Sequence, residues 1–408
     1  MFPPRLIIAG DFSYSDGGAA FNRLQNVAAA FTGRGYRVQM LAMSGVRRSS
    51  VVAKVATRAD AKYDVFGWAP ADSPRPVAGR LGWFVATYWG TIACKRWLET
   101  ASGLSSNDVL YLYGRSLVRL APLMRVARAR NAFVLVDSTE GIERFHGFGH
   151  RLNPIWWDWK LGINYLTRNA DLVAAISTGL AKRAQTKGAK RVCVFPGIEK
   201  WSDEPTRTKP NNSVLTLFVF GALSEKDDPR LLLQVVSECS RQKMPVRFML
   251  VGRYAESAAA NRWAARIKAA AHGVTEAKLL GAPSSSNLEK LLQTADGYMM
   301  LRPDVPAERL AFPTRLVELL KFAKPCIVSD VGDVTCYLKD GIHAYIVAPG
   351  EVSSVISKLR LLLQQPEESL QVGRAGFMQG KSCFDRDAAV EKLCAVIAAP
   401  PTDRPVPA

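Results

Sequence analysis

The chain has 408 residues, 48% of them hydrophobic, and a formal net charge of +18. This is long for one core, so two domains are expected, and the composition is that of an ordinary globular protein. The charge is uneven: residues 1–200 carry 28 Lys and Arg against 13 Asp and Glu, and residues 201–408 carry 26 against 23. A basic first half predicts an anionic partner: a membrane surface, a phosphorylated lipid, an acidic glycan or nucleic acid.

Strand-like apolar runs fall at 6–9, 37–41, 109–112, 133–136, 172–176 and 192–195. A second series falls at 215–220, 247–251, 277–280, 297–301, 326–328 and 344–347. Amphipathic stretches separate them. In 20–33, for example, Phe21, Leu24, Val27, Ala28 and Phe31 recur at helical spacing. Further helices fit 229–242, 256–271, 286–295, 351–364 and 386–398. The alternation predicts α/β architecture with two doubly wound, Rossmann-like parallel-sheet domains.

The expected division is a first domain at 1–199, a polar linker with two prolines at 200–212, and a second domain at 213–385. The helix at 386–398 is expected to pack back on the first domain, ahead of a disordered Pro-rich tail at 399–408. The first strand begins at Arg5, which leaves no room for a signal peptide. The uncharged aromatic run 81–94 is too short to span a bilayer. Seven cysteines without a C-x-x-C pair suggest neither a zinc site nor a disulfide framework, and they suit a reducing cytoplasm.

Chemistry-bearing residues cluster at strand ends. Phe312-Pro313-Thr314-Arg315 opens a short helix, with Glu318 one turn inside it and Lys324-Pro325 ending it before a buried strand. Helix amides, Thr314 and Arg315 suit phosphate oxygens, and Glu318 suits ribose hydroxyls. Gly17-Gly18 follows the first strand and lets a ligand approach the backbone, but it lacks the dinucleotide spacing. Gly221 opens a loop in which Lys226 can neutralise phosphate charge, or which is simply a solvated turn. Arg253 and Gly281 follow other strands of the second half, where open parallel sheets bind ligands.

In the first half, Asp137-Ser138-Thr139-Glu140-Gly141 offers either a carboxylate for a sugar or acceptor, or a helix cap. His146 and His150 lack a third metal ligand and read as surface residues. Trp83, Phe84, Tyr88, Trp89, Trp97, Trp156, Trp157 and Trp159 form either an interfacial surface in the basic half or a helix packed on the sheet.

Taken in order, these segments resemble glycosyltransferase family 4, the retaining, sugar-nucleotide-dependent enzymes of two-domain GT-B fold. The family's glycine pair is similar to Gly17-Gly18, its S-x-x-L segment to Ser177–Leu180, and its domain-end motif to Pro196-Gly197-Ile198-Glu199. Its phosphate loop is similar to Gly221–Lys226. Its closing G-x-P-V-I-x-S-x-x-G pattern is similar to Ala323–Gly332, followed by Asp340-Gly341 and Val347-Ala348-Pro349. The first Glu of the family's E-x7-E motif falls on Leu310, and an Arg beside the phosphate-loop glycine is Ala222 here. Asp304 and Glu308 lie near the missing Glu but off its spacing.

The resemblance implies two domains facing a cleft. It implies transfer of a hexosyl group from a nucleoside-diphosphate sugar to a glycan or lipid-linked acceptor in cell-envelope or exopolysaccharide synthesis. No metal and no cofactor beyond the donor is implied. Lys226, Arg315 and Glu140 are the catalytic candidates. Gly17, Gly18, Gly221, Arg253, Gly281, Phe312, Pro313, Thr314 and Glu318 are the donor-binding candidates, and Asp304 and Glu308 the candidate sugar contacts. The expected place is the cytoplasm, at the inner face of the membrane if the acceptor is lipid-borne, with no nucleic-acid partner. The alternatives are a catalytically silent binding or assembly subunit of the same fold, and a sugar-nucleotide 2-epimerase.

Overall fold

The chain divides between two units, Met1–Lys200 with Arg386–Ala408, and Trp201–Asp385. A computed structural model describes residues 4–12, 19–43, 53–58, 63–67, 80–100, 103–143, 152–204 and 214–400, the last span without 222, 225, 253–256, 282 and 284.

The first unit runs β1 (Arg5–Gly10), α1 (Ala19–Gly33), β2 (Arg37–Ala42), β3 (Ala53–Arg58), β4 (Tyr63–Gly67), α2 (Arg80–Thr100), β5 (Val109–Tyr113), α3 (Leu117–Ala129), β6 (Phe133–Ser138), α4 (Pro154–Asn169), β7 (Leu172–Ala175), α5 (Thr178–Thr186) and β8 (Val192–Val194). Its sheet has the order β3-β4-β2-β1-β5-β6-β7-β8, parallel except for the antiparallel β3–β4 pair. Leu6, Ile7, Ile8 and Ala9 of β1 are all fully buried, because helices cover both faces of a parallel sheet. The helical stripe Phe21, Leu24, Val27, Ala28 and Phe31 of α1 lies in the core that contains Leu6 and Ile8.

The second unit runs β9 (Leu215–Phe220), α6 (Pro229–Arg241), β10 (Val246–Val251), α7 (Ala258–Ala270), β11 (Glu276–Gly281), α8 (Ser285–Gln293), β12 (Gly297–Met300), α9 (Pro306–Arg309), α10 (Thr314–Leu320), β13 (Cys326–Ser329), α11 (Val334–Tyr337), β14 (Tyr345–Val347), α12 (Val352–Gln364) and α13 (Pro366–Phe384). All its strands are parallel, in the order β11-β10-β9-β12-β13-β14. The final helix, α14 (Arg386–Ala398), returns to the first unit and places Val390 and Leu393 in that core.

Each strand series read from the sequence has its counterpart, so the fold is the doubly wound α/β pair. Two differences stand out. The β3–β4 ribbon and helix α13 have no counterpart in the sequence reading. Trp201, within the segment expected as linker, is buried in the second unit, its ring 5.2 Å from that of Phe377.

Several helix starts follow side-chain capping. Ser177 accepts from the Leu180 amide at 3.2 Å, and Asn153 accepts from the Ile155 amide at 3.0 Å with Pro154 in the first turn. Among the described residues no helix is long and apolar enough to cross a membrane.

Candidate active site

In the second unit the strand order reverses between β9 and β12. Open parallel sheets bind ligands beyond the carboxyl ends of the strands at such a point. β9 is buried along all six residues and delivers the chain to Gly221, whose amide donates to the Val251 carbonyl at 3.1 Å.

The loop that follows is wound by its own polar groups. Asp227 accepts from the amide and the hydroxyl of Ser224, at 3.2 and 3.1 Å. The Lys226 amide donates to the same hydroxyl at 3.4 Å. A Cβ on Gly221 would lie 2.5 Å from the Asp227 carboxyl carbon, so only glycine admits this lock. Asp228, at φ 38°, then caps α6 by accepting from the Leu231 amide at 3.1 Å. Lys226 sits half-buried on a loop held at both ends. Ala222 lies outside the described residues.

The second wall is the start of α10. Phe312 turns inward, with ring centroids 5.6 Å from Tyr337 and 5.4 Å from Phe384. This anchor, with buried Pro313, fixes the turn. The Thr314 amide donates to the Phe312 carbonyl at 2.9 Å and the Leu316 amide to the Pro313 carbonyl at 2.8 Å. Those two amides therefore bond within the turn, and the groups there that could meet an anion are the Thr314 hydroxyl and the Arg315 guanidinium. Arg315 is exposed, its guanidinium 5.6 Å from the centroid of Phe220, the last residue of β9. Arg315, in the first turn of α10, thus lies beside the end of β9, from which the Lys226 loop departs. Glu318 is half-buried one turn inside α10.

Past β12, Asp304 is exposed and bonded to Arg309 at 2.8 Å, which holds its carboxyl below the usual range. Glu308 is buried and ion-paired with Arg302, whose amide donates to the Ser329 hydroxyl at 3.0 Å. Gly332, at φ +70°, closes against this turn, and a Cβ there would lie 2.4 Å from the Ala311 carbonyl oxygen. The carboxylate nearest in sequence to Leu310 is thus committed to an internal pair. Gly281, at φ +67°, accepts from the Gly252 amide at 2.8 Å. Arg253 lies outside the described residues.

In the first unit the order reverses between β1 and β5. Asp11, just past β1, is ion-paired with Arg119, and its amide donates to the Tyr113 carbonyl at 3.0 Å. Glu140, past β6, is held 2.9 Å from Arg115, whose guanidinium lies 3.7 Å from the Trp159 ring centroid. Asp137 is not a ligand-facing carboxylate. It is buried, accepts from Arg23 at 2.8 and 3.0 Å and from the Tyr111 hydroxyl at 2.6 Å, and so ties three elements together. Burial opposes the Arg23 charge, but the adjacent Asp137 carboxylate outweighs it and raises that pKa.

Beside Glu140, a depression lined in part by Ser138, Arg183 and Lys187 has room for about one water. Gly17, Gly18, His146 and His150 lie outside the described residues. Among those described, no group of three or more residues is placed to hold a metal ion.

Sequence reading missed Phe220, Asp227, Arg302 and Arg115 as partners of the site. Asp227 carried the one legible signal, an acid one residue past the candidate lysine in a glycine-opened loop.

Residues 215–365 match the family model described as glycosyl transferases group 1. No curated protein sequence matches the chain. Solved structures match it over nearly its whole length. HepE of Anabaena, in complex with UDP and glucose, is 16% identical over 97% of this chain and 99% of that one, with a TM-score of 0.67. Sucrose-phosphate synthase of Thermosynechococcus elongatus is 13% identical over 96% and 98%, at 0.72. A UDP-forming α,α-trehalose-phosphate synthase of Burkholderia xenovorans, in complex with glucose-6-phosphate, is 14% identical over 97% and 100%, at 0.70. The fold is that of the GT-B glycosyltransferases, and the family match falls on the unit that carries Lys226 and Arg315.

Proposed function

We propose that this protein is a retaining glycosyltransferase that moves a hexosyl group from a nucleoside-diphosphate sugar to a hydroxyl of a saccharide or lipid-linked acceptor in cell-envelope or exopolysaccharide synthesis. The observation that carries this reading is a cationic loop and a cationic helix start that both border the end of β9. Lys226 is held by the Asp227–Ser224 lock, and Arg315 is packed on Phe220 and fixed by the buried Phe312. The leaving group is a diphosphate, and stabilising its developing charge is the main catalytic task. Lys226, Arg315 and the Thr314 hydroxyl supply that stabilisation, and the reading requires no metal. Glu318 takes the ribose hydroxyls. Glu140, ion-paired with Arg115, is the first-unit carboxylate assigned to the acceptor in this reading. UDP is the first nucleotide to test, because HepE is described in complex with it. A lipid-borne acceptor would place the protein at a membrane face, which suits the basic first half.

The test is a thermal-shift screen across nucleoside diphosphates and their sugars, followed by donor turnover. Arg315→Ala and Lys226→Ala should each lower turnover about a hundredfold, near 3 kcal/mol of barrier, with the unfolding midpoint unchanged. Unaltered kinetics in both variants would remove these residues from the site.

A second reading, a silent binding subunit, is favoured by Leu310 and by the commitment of Glu308 to Arg302. It predicts a UDP-induced shift without turnover of any donor. A 2-epimerase would instead convert donor in the absence of acceptor.

A further inference from the structure

Seven large apolar side chains are exposed among the described residues, and four of them, Val118, Leu152, Trp157 and Leu161, belong to one region of the first unit. Trp157 and Leu161 stand one turn apart on α4, and Leu152 precedes its cap, Asn153. Val118, at the start of α3, donates its amide to Asp158 at 2.9 Å, which brings it beside the same two turns. The opposite face of α4 supplies what the core needs. Trp156, Gly162 and Leu166 are buried, and a Cβ on Gly162 would lie 2.0 Å from the Arg115 carbonyl oxygen. Trp157 packs edge-on against Trp156, ring centroids 4.7 Å apart, yet Trp157 stays 43% and Leu161 47% exposed.

Cations flank this apolar face. The Lys160 ammonium lies 4.6 Å from the Trp156 ring centroid and 5.0 Å from that of Trp157. Arg168 is exposed two turns beyond Leu161 along the same line. The first half, with 28 Lys and Arg against 13 Asp and Glu, carries most of the chain's positive excess.

We propose that this face of α4, with Leu152 and Val118, docks the protein on an anionic lipid bilayer. Indole rings beside cations suit the headgroup layer, where an apolar edge dips in and ammonium or guanidinium groups meet lipid phosphates. A protein partner fits less well, because four partly exposed side chains offer far less than the roughly 800 Å² per partner of a stable interface. The proposal deepens, and rests on, the reading of a membrane-borne acceptor: it names the surface that would bring the enzyme to it.

The experiment is co-sedimentation of the full chain with vesicles of phosphatidylcholine alone and of phosphatidylcholine mixed with phosphatidylglycerol. The wild type should bind the mixed vesicles at low salt and leave them as salt rises. Trp157→Ser with Leu161→Ser should weaken that binding at least about tenfold, and Leu152→Ser, outside the helix, by a smaller factor in the same direction. The unfolding midpoint and the UDP-induced thermal shift should not change in these variants. The proposal fails if the wild type ignores anionic vesicles at low salt, or if the double variant binds them as well as the wild type does. It fails equally if the wild type is a dimer that the double variant turns into a monomer, because the face would then join two copies. Loss of the UDP shift in the wild type, with vesicle binding retained, would sink the donor reading alone.

Discussion

Gly221 shows how one missing methyl group shapes the loop after β9. The Asp227 carboxylate occupies the space where a side chain would be, and from there it holds Ser224 and orients the segment that carries Lys226. Gly221→Ala should push Asp227 off Ser224 and lower nucleotide affinity about tenfold, read as a weakened nucleoside-diphosphate titration, with the fold retained. An affinity equal to wild type would mean that the lock does not position Lys226. The glycine and the acid were both legible in the sequence but their contact was not, because a contact across six residues of loop leaves no periodicity. Ala323 teaches a related lesson. It stands where the family pattern has glycine, and it adopts φ +52°, the left-handed region that glycine favours. A residue with a side chain therefore holds a backbone conformation that favours glycine. Asp137 was open between ligand contact and cap from sequence alone, and only Arg23, 114 positions away, shows that it is a buried tie.

Helix α13 escaped the sequence reading for a physical reason. Much of its packing face is glycine. Gly373 lies against the Lys324–Pro325 backbone, Gly376 against the His343 carbonyl and Gly380 against the Trp201 ring. A helix that packs through glycines has no strong apolar stripe to count. Gly376→Val should force α13 away from His343 and Leu320 and cost about 1–3 kcal/mol, read as a lower denaturation midpoint with an unchanged denaturant slope. An unchanged midpoint would show that α13 can move off without loss. The strands were the easier elements. Runs such as Leu215–Phe220, apolar but for Thr216, and Cys326–Ile327–Val328 are buried throughout because both faces of a parallel sheet are covered.

At the scale of the whole molecule, the chain leaves the first unit after Lys200 and rejoins it at Arg386. The return is fastened within that unit. The Arg386 amide donates to the Glu199 carbonyl at 2.8 Å, Arg34 donates to the Asp387 carbonyl, and Val390 and Leu393 join the core beneath α1. Leu393→Ala should destabilise the first unit by about 2–5 kcal/mol, seen as earlier unfolding, although the residue lies near the far end of the sequence. An unfolding profile identical to wild type would show that α14 contributes little to that core.

The sequence by itself determined the architecture class, most strand positions and the residue types of the candidate site, because buried parallel strands, helix caps and glycine-opened turns write themselves locally. Only the tertiary structure decided which of those residues are committed elsewhere. It showed Asp137 locked to Arg23, Glu308 to Arg302 and Asp304 to Arg309, while Arg315 packs on Phe220 beside the Lys226 loop. A charge alone in a sequence is available to any ligand. Whether it stays so depends on partners that the fold brings in, sometimes from more than a hundred residues away.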